Sequence, residues 1–165
     1  MMHSTGIAER IAFGRPVDPV YDDTPVRVAQ RPATALIGRL LIGAIFLVSG
    51  IAKLTDTSGT VGHMESAGIP YAHTLAIIAG IAEIAGGLSL VFGLLTRIGA
   101  LGLIVFMIPT TILFHGFWNL EGVEQKMQMV NFMKNLAIIG GLFMVAAFGP
   151  SRYSIDRKIR EPIQP

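Results

Sequence analysis

Glu83 is the residue whose surroundings point most clearly to chemistry, because it is the one charge in the apolar stretch Thr74–Leu95. A charge near the middle of a membrane span costs about 2.5 to 3.5 kcal/mol on insertion scales. We therefore expect the Glu83 carboxyl group to be protonated, paired with a cation, or in contact with water inside the protein. Lys53 and Lys134 lie near the ends of two other apolar stretches and are candidate partners.

Amide and imidazole groups occur near these charges. Asn131 lies three residues before Lys134 and four before Asn135, so the three share a helical face. His115 follows the end of a further apolar stretch. The sequence thus predicts one polar cluster, formed by Lys53, Glu83, His115, Asn131, Lys134 and Asn135. Two interpretations stay open: a buried ion pair that only fixes the helix register, or a functional cavity for a ligand.

Several kinds of chemistry are excluded or unsupported. The chain has no cysteine, which excludes disulfides, thiolate metal ligation and a cysteine nucleophile. Its four histidines show no paired metal-ligand spacing, so no metal site is predicted. The glycine-rich runs lie inside apolar stretches, which is the wrong context for a phosphate-binding loop. The sequence has no stripe of lysine and arginine, so we expect no nucleic-acid partner.

The composition indicates which elements position the cluster. Apolar residues make up 52% of the 165 residues and charged residues 15%, against about 25% charged in soluble domains. A helix needs about 20 apolar residues to cross a bilayer, and four stretches meet this requirement: Ala35–Leu54, Thr74–Leu95, Ile98–Phe114 and Met129–Phe148. Because backbone groups in lipid must be satisfied within the segment, these stretches are predicted to be helices. The predicted fold is an all-α polytopic membrane protein with an antiparallel bundle of four transmembrane helices.

The remaining segments differ in character. Residues 1–33 are proline-rich and predicted to form an irregular cytoplasmic arm, with a short helix at Thr5–Phe13. Residues 34–149 form the membrane domain, and residues 150–165 a basic cytoplasmic tail.

The connections between the spans also carry predictions. Between the first two spans, Asp56 or Ser58 is predicted to cap a short helix that Gly68-Ile69-Pro70 ends. The residues Leu95-Thr96-Arg97 predict a tight turn between the second and third spans.

Lysine and arginine placement predicts the orientation. With both termini in the cytoplasm, ten of these residues lie on the cytoplasmic side and three on the other. Arg97 is predicted to anchor the topology at the tight turn, and Arg39 to extend from the first span to the cytoplasmic boundary.

Glycines predict where the helices meet, because small residues let helices approach closely in lipid. Gly43 and Gly50 share one face of the first span with Lys53, and Gly80 and Gly87 share one face of the second span with Glu83.

Several of these motifs together resemble the DoxX family. They begin with Arg39–Gly43 and Phe46–Leu54, and continue with Gly68-Ile69-Pro70, Glu83–Gly87, Gly93–Arg97, His115, Asn131, Lys134-Asn135, Gly149-Pro150 and Ser154-Ile155-Asp156. The resemblance covers the chain from about Arg39 to Asp156 and leaves residues 1–33 outside it.

The resemblance implies a small four-helix protein of the bacterial inner membrane, associated with redox chemistry and with quinone. Our first hypothesis is a redox subunit in which Lys53, Lys134 or His115 donates hydrogen bonds to a quinone and Glu83 relays protons. The alternative is a non-catalytic accessory subunit that packs on a larger membrane complex, or a homo-oligomer, through its helices and its N-terminal arm. A small-solute transporter is the least favoured hypothesis, because the spans show no broken-helix repeat.

Overall fold

The computed structural model describes residues 32–160. This part of the chain contains no strand and six helices: α1 (Pro32–Thr55), α2 (Thr57–Ser66), α3 (Ala72–Phe92), α4 (Thr96–His115), α5 (Gly122–Phe148) and α6 (Ile155–Arg160). The four long helices α1, α3, α4 and α5 are each long and apolar enough to cross a membrane. The prediction of an all-α, four-helix membrane protein is therefore confirmed. The predicted helix at Thr5–Phe13 lies outside the described residues.

Glycines set the closest helix contact, which is between α1 and α3. A methyl group on Gly50 would lie 2.7 Å from the carbonyl oxygen of Gly80, and one on Gly43 would lie 3.0 Å from that of Gly87. The residue numbers rise along α1 as they fall along α3, so the two helices run antiparallel. This contact confirms the two glycine faces predicted from the sequence.

All four long helices meet in one apolar core. Its buried residues are Phe46 from α1, Leu90 from α3, Ala100, Leu103, Ile104 and Met107 from α4, and Ile139 and Leu142 from α5. Because lipid surrounds the bundle, association of the helices depends on close packing of these side chains rather than on the hydrophobic effect.

The short helix α2 packs beside one end of the bundle, which we call the α2 end. Asp56 is its N-cap, and the Asp56 carboxylate accepts a 3.0 Å hydrogen bond from the Gly59 N–H. Gly68 then adopts a left-handed backbone conformation with φ of 72°, which ends the turn after the helix. Met64 of α2 is buried against Ala72, Ala76 and Ala79 of α3. Of the two predicted caps, the structure selects Asp56.

The opposite end of the bundle, which we call the hairpin end, holds the turn between α3 and α4. Here the C-terminal segment folds back onto the bundle, and Asp156 accepts hydrogen bonds from the N–H groups of Leu95 and Thr96 at 2.7 and 2.9 Å. The Thr96 hydroxyl donates to the same carboxylate at 2.8 Å. A carboxylate at this position satisfies N–H groups at the start of α4 and interacts favourably with its dipole.

The two predicted anchor arginines differ in their environments. Arg97 is exposed, and its guanidinium donates to the carbonyl oxygen of Ala147 near the end of α5. Arg39 is only 2% exposed, and it donates to the Ser154 hydroxyl. The Arg39 guanidinium thus lies at the hairpin end, where the folded-back C-terminal segment covers it. Its role as a topology anchor at the cytoplasmic boundary stays a prediction.

Candidate functional site

Glu83 and Lys53 form an ion pair inside the membrane domain. Glu83 lies near the middle of α3 and is 4% exposed. Its Oε2 atom lies 3.0 Å from Nζ of Lys53, whose side chain is 22% exposed. Lys53 also donates to the Ser49 hydroxyl, one helical turn earlier on α1, at 2.7 Å. Of the two cations that the sequence offered to Glu83, the structure selects Lys53.

The close contact between α1 and α3 positions this pair. Gly50 and Gly80 face each other across that contact. Lys53 follows Gly50 by three residues and Glu83 follows Gly80 by three, so each charged group lies on the contact face of its helix. Side chains larger than hydrogen at Gly50 and Gly80 would separate the backbones and with them the two charges.

A cavity of about 190 Å³ lies next to Lys53 at the α2 end. Four helices contribute to its wall: Lys53 from α1, Thr60, His63 and Met64 from α2, Ala79 from α3, and Phe106, Thr110, Phe114 and His115 from α4. The wall therefore combines a cation, two imidazoles and two hydroxyl groups with an apolar remainder. This is the composition expected of a small-ligand site, in which a few polar groups orient a mostly apolar molecule.

Hydrogen bonds orient the polar groups of this wall. Nδ1 of His115 lies 2.9 Å from Oε1 of Gln128 on α5. With that oxygen as acceptor, Nδ1 carries a proton, and in the neutral ring Nε2 is then a hydrogen-bond acceptor. The Thr110 hydroxyl donates to the carbonyl oxygen of Phe106 at 2.8 Å. The His63 ring stacks on Phe114 with the ring centroids 5.1 Å apart.

A second, shallower depression between α1 and α2 connects Lys53 to the outside of the bundle. It measures about 530 Å³, and Lys53, Thr60 and His63 line both it and the cavity. Asp56 adds a carboxylate to its wall. The Lys53 side of the ion pair is thus open to the surroundings of the bundle, whereas Glu83 is buried.

Three predicted members of the cluster lie elsewhere. Lys134 is exposed on α5, donates to Oδ1 of Asn131 at 3.3 Å, and lies among Met129, Val130, Met133 and Ala137 on an outward face. Asn135 points to α4 and donates to the Thr111 hydroxyl at 3.1 Å. Neighbouring residues on a helix are about 100° apart, so an inward Asn135 turns Lys134 outward. The structure thus brings Lys53 together with Glu83 in the ion pair and with His115 on one cavity wall, which Asn131, Lys134 and Asn135 do not line. A ligand-binding role for any of the six stays a prediction.

The residues that α2 and the middle of α4 supply to the cavity were not predicted from the sequence. His63 and Met64 follow Thr60 by three and four residues, so all three lie on one face of α2. This spacing was a usable signal once the Asp56 cap predicted a helix. Phe106 and Thr110 gave no such signal, because they lie in an apolar stretch where every face looks alike.

Comparison with known proteins decides the family. The family model named DoxX matches residues 34–116, which is half of the chain. The chain belongs to the DoxX family. The match spans α1 to α4 and contains Lys53, Glu83 and His115, while Asn131, Lys134 and Asn135 lie beyond it.

Relatives cover more of the chain than this DoxX match does. The inner membrane protein YphA of Escherichia coli K12 is 35% identical over 130 residues, which are 79% of this chain and 93% of that protein. The inner membrane protein YqjF of the same organism is 40% identical over 126 residues, 76% of this chain and 92% of that protein. No solved structure matches this DoxX protein.

Proposed function

We propose that this DoxX protein is a redox-associated membrane subunit that binds the head group of a quinone in the cavity beside Lys53. The observation that supports the proposal is the meeting of Lys53, His115 and Thr110 around one cavity of about 190 Å³, with Glu83 paired to Lys53. A quinone head group is an apolar ring with carbonyl oxygens that accept hydrogen bonds, and this wall offers both kinds of contact.

Lys53 has one N–H group available for a ligand. An ammonium group donates three hydrogen bonds, and Lys53 uses one for Glu83 and one for Ser49. Within residues 32–160 its third N–H has no acceptor. A quinone carbonyl is a suitable acceptor, and the negative charge that develops on this oxygen during reduction interacts favourably with the ammonium group.

His115 and Thr110 suit the reduced form of the ligand. Nε2 of a neutral His115 ring accepts a hydrogen bond when Nδ1 donates to Gln128. The Thr110 oxygen can also accept one while its own hydroxyl donates to the Phe106 carbonyl oxygen. A quinol presents hydroxyl groups, which donate to such acceptors. The site thus offers a donor for the oxidised ring and acceptors for the reduced ring.

Reduction of a quinone to a quinol adds two electrons and two protons. In the proposal, protons enter by the depression lined by Asp56, Thr60 and His63, and the Lys53–Glu83 pair passes them to the ring oxygens. The chain has no cysteine, and no group of three His, Asp or Glu residues comes together within residues 32–160. The electrons are therefore assigned to a separate electron-carrying partner protein.

A binding titration with matched lysine variants tests the site. The purified protein in detergent is titrated with a quinone ring that carries a methyl group in place of a tail. We expect Lys53→Met to weaken binding about tenfold or more, because a hydrogen bond to a charged group contributes about 1.5 to 3 kcal/mol. Lys134→Met, which changes the outward lysine on α5, should leave the affinity unchanged. Equal affinities for the wild type and Lys53→Met would reject the site.

We also place the protein in the inner membrane with both termini in the cytoplasm. The named relatives YphA and YqjF are inner membrane proteins, and the excess of lysine and arginine favours this orientation. The hairpin end then faces the cytoplasm and the α2 end faces away from it.

A specific observation on α5 supports the second candidate, an accessory role in a larger membrane complex. Lys134 is exposed on the face formed by Met129, Val130, Met133 and Ala137. A lysine on a lipid-facing surface is costly, and a carboxylate on a partner helix would offset that cost. Lys134→Leu is then expected to reduce co-purification of a membrane partner in mild detergent. Retention of the same partners by Lys134→Leu would exclude this face as the contact.

A further inference from the structure

A larger opening, which we call the groove, lies between α3 and α4, on the hairpin side of the 190 Å³ cavity beside Lys53. This groove has a volume of about 650 Å³. Ser89 contributes the one polar side chain of its wall, and the Ser89 hydroxyl already donates to the carbonyl oxygen of Leu94 at 2.7 Å. The other lining residues are apolar, so the chemistry of the groove suits a hydrocarbon chain rather than a polar head group.

The groove has a defined end. Ile155 forms part of its wall at the hairpin end, and the neighbouring Asp156 fixes that residue by its hydrogen bonds to Leu95 and Thr96. From this end the groove extends along α4 from Ile98 to Phe106, a distance of about 12 Å at 1.5 Å per residue. The C-terminal segment thus limits how far a chain in the groove can extend.

Phe106 connects the groove to the polar cavity. Its half-buried side chain lines both the 650 Å³ groove and the 190 Å³ cavity. It packs against the apolar core of the four long helices and against the buried residues at the α2 end. Ligand pockets typically measure about 300 to 1,000 Å³, so the polar cavity is too small for a molecule with both a head and a long tail. A tail attached to a head group beside Lys53 must leave the cavity, and the groove begins at Phe106.

We infer that the groove between α3 and α4 holds the hydrocarbon tail of the ligand whose head group lies beside Lys53. The inference rests on the proposed function and adds the substrate class: an amphiphile with a ring-shaped polar head and a long apolar tail. Phe106 separates the head compartment from the tail compartment. A phospholipid acyl chain is the alternative occupant, and competition by a tail-less quinone separates the two.

The experiment maps the tail by photochemical crosslinking. The full chain in lipid nanodiscs is incubated with a quinone that carries a photoreactive diazirine at the end of a tail long enough to reach Ile98. The variant Gly102→Leu adds a side chain at a glycine that lines the groove, and its β-carbon meets nothing within 4 Å. Gly140→Leu on α5 is the matched control, because a β-carbon at Gly140 also meets nothing within 4 Å and Gly140 does not line the groove.

We expect crosslinks to residues 98–106, loss of these crosslinks when excess tail-less quinone is added, and at least about a threefold lower yield in Gly102→Leu than in Gly140→Leu. The expected difference in yield is modest, because lipid also solvates a tail that lies outside the groove.

Crosslinks in the groove that the tail-less quinone does not reduce would identify an ordinary lipid site and overturn the inference. Crosslinks confined to other exposed helix faces would also overturn it. In either of these two outcomes, the proposed function stands if the tail-less quinone binds the wild type more tightly than Lys53→Met. If it does not bind, both proposals fail.

Discussion

Lys53 and Glu83 join the end of α1 to the middle of α3 through an ion pair of 3.0 Å between Nζ and Oε2. Lys53 lines a cavity, whereas Glu83 is buried. A pair that only held two helices together would need no such asymmetry. Its less buried member, Lys53, lines the same cavity as His115, which makes the pair both a structural link and a candidate ligand contact.

Neutralising the pair separates these two roles. Glu83→Gln leaves Lys53 without its counter-ion, and we expect a loss of about 1 to 3 kcal/mol in unfolding free energy, less than for a fully buried pair. The double variant Lys53→Met with Glu83→Gln removes both charges and should recover most of that stability. Thermal unfolding in detergent measures the stability, and quinone titration measures binding.

The double variant should fold but bind the tail-less quinone about tenfold more weakly, since the ammonium donor is gone. Wild-type binding by a stable double variant would show that the pair only fixes the helix register.

The Gly50–Gly80 contact is expected to control the separation of the two charges. Gly50→Ala places a methyl group 2.7 Å from the Gly80 carbonyl oxygen, so α1 and α3 must move apart. Overpacking of this kind typically costs about 1 to 3 kcal/mol, and the melting temperature should fall accordingly. Gly38→Ala on the same helix is the control, since a methyl group there meets nothing within 4 Å. Equal melting temperatures for the two variants would contradict the glycine contact.

The Asp156 carboxylate is expected to hold the C-terminal segment on the hairpin. Asp156→Asn replaces a charged acceptor of three hydrogen bonds, and loss of such a cap typically costs about 0.5 to 2 kcal/mol. Limited proteolysis should cut residues 150–160 faster in this variant than in the wild type. Lys158→Gln changes an exposed residue of the same helix and should leave the cleavage rate unchanged. An unaltered rate in Asp156→Asn would show that other contacts hold the segment.

Cysteine labelling tests the orientation. The natural chain has no cysteine, so a single introduced cysteine is the only thiol. We expect a membrane-impermeant reagent to label Gly62→Cys on α2 in intact cells, and Lys158→Cys only after the membrane is permeabilised. Both positions are exposed in the structure, so accessibility within the fold does not limit labelling. The reverse pattern would place both termini outside the cytoplasm.

The sequence predicted the helices well, because a membrane span is specified by length and hydropathy. α5 begins at Gly122, seven residues before the predicted Met129, since a run of polar residues continues the helix beyond the apolar stretch. The pairing of Glu83 with Lys53 was one of two open options, and the glycines that share their helix faces were a signal that could have decided between them.

The rotation of α5 about its axis was not predictable in the same way. Lys134 and Asn135 are adjacent and both polar, and only packing against Thr111 of α4 decides which of them points inward. Arg39 illustrates a related limit, because its burial depends on Ser154, which lies 115 residues away along the chain. The spacing of residues did not determine the orientation of Asn135 or the burial of Arg39, because contacts between distant segments decide both.

The most direct test of the account is an experimental structure of the protein bound to a tailed quinone. The account predicts a ring within hydrogen-bonding distance of Lys53 Nζ and on the same side as His115, with the tail passing Phe106 into the groove between α3 and α4. Ligand density that lies only on the lipid-facing surface, with the cavity beside Lys53 empty of it, would contradict the account.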